Sequence, residues 1–137
     1  MSLKALNNVW VVDDDPLQVL ILNRLLADQP NIKNIKFFSG GDAAVAALKG
    51  KISSNELPDL VFLDLVMMRG DGWAFLDHYK KLKGKLGLQA HIVVISSYSE
   101  DNLKKAKQYA EVVDFLPKPL DKKEFEALMK LLDEKEE

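Results

Sequence analysis

Residues Asp59–Gly72 read DLVFLDLVMMRGDG. Pro58 leads into an apolar run, Leu60–Leu63, that stops on the carboxylate of Asp64, and Gly70 and Gly72 close the stretch. A short apolar run bounded by polar, Pro and Gly residues has the pattern of a strand buried on both faces of a parallel sheet. Open α/β sheets bind ligands at the carboxyl ends of their strands. Asp64 is therefore predicted to stand on a reactive rim.

On either side of this stretch, strand-like and helix-like segments alternate. Val9–Val12 is a β-branched and aromatic run ending in Asp13-Asp14-Asp15. Pro16 suits a first helical turn that Asp15 can cap, and Leu17, Leu20, Ile21 and Leu25 follow at helical spacing as far as Pro30. Ile35–Phe38 reads as the second strand. Gly40-Gly41-Asp42 opens a helix over Ala43–Leu48 that Gly50 closes, and 51–58 reads as a polar loop. Gly72–Leu86 is the third helix, with Phe75, Leu76, Tyr79 and Leu82 on one face. Ile92–Ile95 is the fourth strand, ending in Ser96-Ser97, and Glu100–Ala110 is a polar fourth helix. Val112–Leu116 runs as the fifth strand into Pro117-Lys118-Pro119, and Phe125, Leu128, Met129 and Leu132 line the last helix.

Five strands alternating with five helices over short loops call for α/β architecture: a parallel sheet with helices on both faces. Right-handed crossovers leave few topologies, and the common one at this size is strand order 2-1-3-4-5, a flavodoxin-like three-layer sandwich. The chain of 137 residues, 47% hydrophobic, buries a core without staples and reads as a single domain, with its core over about 7–132. No cysteine is present, which excludes disulfides, thiolate metal sites and cysteine nucleophiles and fits a cytoplasmic setting. With 19 basic against 21 acidic residues and a net charge of -2, a nucleic-acid-binding surface has no support. No apolar run approaches a membrane span, and no signal-peptide pattern opens the chain.

The strand ends carry the chemistry. The first delivers Asp13 and Asp14, the third Asp64, the fourth Ser96 and the fifth Lys118. Three converging carboxylates repel one another unless a cation is present. A hard divalent ion relieves this, and Mg²⁺ suits a site with few protein ligands and room for water and phosphate. Ser96 and Lys118 add donors opposite the metal, so the pocket suits a tetrahedral dianion or a phosphoryl group in flight. Asp64, in the middle, is the nucleophile, since carboxylates form acyl phosphates. Taken singly, Asp13-Asp14-Asp15 is more often a cap, Ser96 a capping hydroxyl and Lys118 a surface lysine; only joint placement at four strand ends overturns those readings.

The four motifs VVDDDP, LVFLDLVM, VVISS and DFLPKP, in this order, resemble the receiver domain of two-component response regulators over essentially the whole chain. The resemblance implies that Asp64 accepts a phosphoryl group from the phosphohistidine of a histidine kinase or phosphotransfer protein. It implies that Asp14, Asp64 and the carbonyl of Val66 ligate Mg²⁺, with Asp13 acting through water. Ser96 and Lys118 would hold the phosphoryl oxygens, Phe115 would be the aromatic switch, and the Lys118–Pro119 bond would be cis. Such a domain is not a conventional enzyme, but catalyses its own phosphorylation and dephosphorylation. The face of the fourth helix, fifth strand and fifth helix would then dock a downstream protein target or a second copy of the chain. A thin apolar stripe of Leu103, Ala106 and Ala110 leaves the fourth helix weakly anchored and able to shift.

Some positions depart from the family pattern. Met67-Met68 stands where Met-Pro is usual, which frees the loop backbone beside Asp64; Ser97, Glu111-Val112 and Phe115 replace the commoner residues at their positions. Two other functions fit parts of the pattern. A haloacid-dehalogenase-like phosphatase would take Asp13 as nucleophile, but Leu17 stands where its motif wants Thr or Val. A receiver-like interaction module that is never phosphorylated would have no need to keep the intact set Asp13, Asp14, Asp64, Ser96 and Lys118, whose mutual repulsion costs stability. The chain ends just after the fifth helix, as expected of a stand-alone regulator or of a fragment of a longer one.

Overall fold

The computed structural model describes residues 5–50 and 54–135. Five parallel strands, β1 (Leu6–Val12), β2 (Ile32–Phe38), β3 (Leu60–Leu63), β4 (His91–Ser96) and β5 (Val112–Pro117), form one sheet in the order β2-β1-β3-β4-β5. Helices α1 (Pro16–Ala27), α2 (Gly41–Lys49), α3 (Gly72–Leu86), α4 (Glu100–Ala106) and α5 (Lys122–Lys135) connect and follow them, and a 3-10 turn at Ser54–Glu56 precedes β3. The expected topology is the observed one. The polar loop expected over 51–58 lies partly outside the described residues.

Alternation along each strand divides the core in two. Trp10, Val12, Val61, Leu63, Ile92 and Val94 face α2, α3 and α4, packing on Leu48, Phe75, Tyr79 and Ala106. Val9, Val11, Leu60, Phe62, Val93 and Ile95 face α1 and α5, packing on Leu22, Leu26, Phe125, Leu128 and Leu132. Both faces of β3 are thus covered, which is why its sequence is uniformly apolar.

Helix starts follow the local chemistry. Asp15 accepts the Leu17 N–H at α1, Asp71 the Ala74 N–H at α3 and Ser99 the Asn102 N–H at α4. Each satisfies a donor that the first helical turn leaves orphaned. Gly87, at φ 68°, ends α3 in the left-handed region that favours glycine.

Two expectations are corrected. The buried stripe of α1 is Gln18, Leu22 and Leu26, whereas Leu17 and Leu20 are 63% and 47% exposed. Both stripes have helical spacing, so periodicity alone did not choose between them. Helix α4 stops at Ala106 rather than Ala110; after Lys107 the chain turns through Tyr109, whose N–H and carbonyl bond Ala106 and Val112.

Candidate functional site

Asp13 follows β1 and Asp64 follows β3, strands paired side by side with Val12 opposite Leu63. The N–H of Asp64 donates to the Val12 carbonyl at 2.9 Å, locking the two carboxylate-bearing ends together. Asp13, Asp14 and Asp64 each bring a carboxylate oxygen to within 4.8 Å of the others. Asp13 and Asp64 are buried and Asp14 is exposed. Lys118, just past β5, reaches across with Nζ 3.1 Å from Asp64 and 3.3 Å from Asp13; Asp15 lies farther off at 3.6 Å. Its own N–H donates to the Ser96 carbonyl at 3.0 Å, tying the β5 end to the β4 end. Ser96 is buried, Val66 is exposed, and the Lys118–Pro119 peptide is cis.

Burial, the largest influence, pushes the Asp13 carboxyl up to about 6. The Asp15 N–H pulls it down, the Asp64 charge pushes it up again, and Lys118 offsets part of that. For Lys118 burial acts downward, yet Asp13 and Asp64 together outweigh it and hold its pKa above the ordinary lysine value. The ammonium stays charged. An all-oxygen donor set whose members repel one another fits a hard divalent cation. Asp13, Asp14 and Asp64 are the cluster of that kind among the described residues.

Phe115 is half-buried and packs with the cluster on the α4 side of the sheet. A bulge puts it there. Val112 packs on that face and Val113 on the other, and simple alternation would send Phe115 after Val113. The β4–β5 register shifts, however, between Ile92↔Val112 and Val93↔Asp114, and Phe115 changes sides. Asp114 accepts the Phe115 N–H at 2.8 Å. Ser96 follows Ile92 and Val94 in alternation, so it rises on the same face as Phe115.

Sequence reasoning missed three supports. Asp59 accepts the N–H groups of Asn7 and Asn8 at 2.7 and 3.0 Å, fixing the start of β1 beside β3. Across the α3–α4 flank, Lys105 Nζ lies 4.3 Å from the centroid of the Trp73 ring, Trp73 stacks on Tyr109 at 6.2 Å, and the Tyr109 hydroxyl donates to Asp77 at 2.7 Å. The third is the loop after Asp64, which is not freed by its missing proline. Gly72 N–H bonds the Leu65 carbonyl at 2.9 Å and Met68 N–H bonds Asp14 at 3.0 Å. The carbonyls of Arg69 and Gly70 accept from Asp42 and Gly41 at 3.1 and 2.8 Å. The pair Gly40-Gly41 was the signal, legible only as a helix start until its spatial neighbour was known.

Residues 9–130 match the family model described as the response regulator receiver domain. The chain is 33% identical over 113 residues to the protein-glutamate methylesterase/protein-glutamine glutaminase of group 3 operon of Bradyrhizobium diazoefficiens, covering 81% of this chain and 28% of that protein. It spans about a quarter of the length of such curated relatives. Among solved structures, a two component response regulator from Cytophaga hutchinsonii superposes with a TM-score of 0.81 at 19% identity, covering 94% of this chain and 98% of that one. The CheX-CheY-BeF3-Mg complex from Borrelia burgdorferi gives a TM-score of 0.75 at 26% identity, over 92% and 89% of the two chains.

Proposed function

The chain belongs to the response regulator receiver family, and we propose that within this phosphoacceptor signalling domain Asp64 is the residue that takes the phosphoryl group. The observation that carries the reading is the Lys118 ammonium 3.1 Å from the Asp64 carboxylate, at a rim shared with Asp13 and Asp14. An Asp64 oxygen attacks phosphorus in line, and the bond from phosphorus to the donor's imidazole nitrogen breaks. The electron pair stays on that nitrogen, and because the other ring nitrogen carries a proton in the reacting phosphoimidazolium, a neutral imidazole leaves. Lys118, kept cationic by its two carboxylate neighbours, takes one phosphoryl oxygen, and the Ser96 hydroxyl donates to another. In dephosphorylation water attacks phosphorus, the bond to the Asp64 oxygen breaks with its electron pair left on the carboxylate, and the water's protons go to the departing inorganic phosphate and to solvent.

Mg²⁺, held by Asp14, Asp64 and the Val66 carbonyl with Asp13 acting through water, would neutralise charge on the acceptor and on the phosphoryl oxygens. The donor is the phosphohistidine of a histidine kinase or phosphotransfer protein, met in the cytoplasm. Residues 1–137 act as one receiver unit. Phosphorylation draws Ser96 inward and lets Phe115 follow on the same face of the sheet, and this reshapes the α4–β5–α5 surface for a protein target or a second copy of the chain.

Incubation with Mg²⁺ and acetyl phosphate should add one phosphoryl group to the intact protein, and Asp64→Asn should abolish the addition. Labelling that survives Asp64→Asn and is lost in Asp13→Asn would instead favour the dehalogenase-like chemistry.

A further inference from the structure

The loop between β3 and α3 carries Val66 and Met68 past the acid cluster. It lacks a rigidifying proline, yet its backbone is fastened at successive points. The fastening partner is the entrance of α2. Gly41 and Asp42 donate their N–H groups to Gly70 and Arg69, so backbone meets backbone with no side chain between.

This approach requires glycine on both sides. A Cβ at Gly40 would overlap the Arg69 carbonyl oxygen, and one at Gly41 would lie 2.6 Å from the Gly70 oxygen and 2.8 Å from that of Asp71. Gly70 itself sits at φ 85°, where a Cβ would lie 2.6 Å from the Asp42 nitrogen. The fastened loop then presents the Met68 N–H to Asp14 at 3.0 Å. The Met68 side chain is 94% exposed, so the contribution of this residue at the site is its backbone. A proline there would have no N–H to give.

We propose that Gly40, Gly41 and Gly70 are positioning residues for the phosphoacceptor site: they clamp the β3–α3 loop to α2, so that the Met68 N–H holds the Asp14 carboxylate and the Val66 carbonyl is kept at the rim. The proposal rests on the receiver reading for its consequence, metal binding, but not for its geometry. Outer-shell groups that orient a ligand change metal affinity by about 10–100-fold, and the clamp acts on Asp14 in that way.

The test is amide exchange by NMR on the metal-free protein, followed by Mg²⁺ titration. In wild type the amides of Gly41, Asp42 and Met68 should be protected, unlike exposed loop amides. In Gly41→Ala, Met68 and Asp42 should lose protection while the strands keep theirs, and the Mg²⁺ dissociation constant should rise about tenfold. Unprotected Gly41, Asp42 and Met68 amides in wild type would overturn the clamp even if the variant fails to fold. A folded Gly41→Ala protein with unchanged Met68 exchange and unchanged Mg²⁺ affinity would overturn it too. Loss of strand protection in step with Met68 would reduce the glycines to a general structural role and equally refute it. If wild type exchanges as expected but takes no phosphoryl group at Asp64, the clamp stands and the receiver chemistry is what fails.

Discussion

The loop of residues 65–71 and the α4 flank are held by different kinds of contact. The loop is fastened by backbone hydrogen bonds at Gly41, Asp42 and Gly72 and by glycines too close to neighbouring carbonyls for any side chain. Helix α4 and its turn are held by side chains: Lys105 over Trp73, Trp73 on Tyr109, Tyr109 to Asp77, and Lys83 to Glu111 at 3.4 Å. Backbone contacts have no rotamers to exchange. A cation–π contact, a ring pair and a partly exposed hydrogen bond each contribute about 0.5–1.5 kcal/mol and can be given up one at a time. Under the proposed function, the segment that would keep metal and phosphoryl ligands in place is a frame, and the segment that would answer phosphorylation is a latch.

The sharpest way to break this contrast is Gly72→Ala. A Cβ there would overlap the Asp64 carbonyl and lie 2.8 Å from the Leu65 Cα, and no side chain can swing aside. A loss of about 3 kcal/mol is expected, read as a fall in melting temperature of roughly 10 °C. A melting temperature within 2 °C of wild type would show that the frame yields as easily as the latch.

The acid pocket gives the second test. Asp13 binds its proton more tightly in the fold, at a pKa of about 6 against 3.8. Its contribution to stability is thus complete below pH 3.8 and is lost as pH climbs to about 6. Metal-free Asp13→Asn should be more stable than wild type at pH 7 by about 1–2 kcal/mol, with the gap closing below pH 4. Equal stability of the two proteins at pH 7 would mean that burial does not disfavour the charged Asp13.

Two tyrosines compare core and latch directly. Tyr79 is buried, burial pushes its hydroxyl up to about 12, and its oxygen accepts the Ala90 N–H at 2.9 Å. Tyr79→Phe orphans that donor and should cost about 1–3 kcal/mol. Tyr109→Phe removes a hydrogen bond whose partner, Asp77, is exposed, so water replaces it and the loss should be about 0.5–1 kcal/mol. Equal losses in thermal melts would make the flank part of the frame.

The difference between the segments also explains what the sequence made legible. Strand β3 could be placed to the residue because burial on both faces leaves only apolar residues between Pro58 and Asp64. The cluster of Asp13, Asp14, Asp64 and Lys118 followed because strand ends of a parallel sheet share one rim. Contacts between segments distant in the chain left no local trace. Gly40-Gly41 looks like any helix start until Arg69 and Gly70 lie against it, and the side that Phe115 faces depends on a bulge that the pattern Val112–Leu116 does not announce. Leu17 and Leu20 show the same limit from the other direction: apolar spacing identified a helix but not which stripe the sheet would cover.

The smallest expected effect is the most specific to the latch. Lys105→Met keeps an apolar stem over Trp73 and removes only the charge that lies 4.3 Å from the ring centroid. The global melting temperature should stay within about 2 °C, since an exposed cation–π contact contributes only about 0.5–1 kcal/mol. Local opening should respond where global unfolding does not: amide exchange across residues 100–110 should quicken by up to about fivefold, the equivalent of that energy, with the sheet unchanged. Beryllofluoride and Mg²⁺, added as a mimic of the phosphoryl group proposed at Asp64, should quicken the same amides in wild type and add less in the variant, because the latch is already partly released. If the variant changes no exchange rate in α4 while the phosphoryl mimic still does, the motion runs through Phe115 alone, and Lys105 on Trp73 is an ornament of the surface rather than part of the switch.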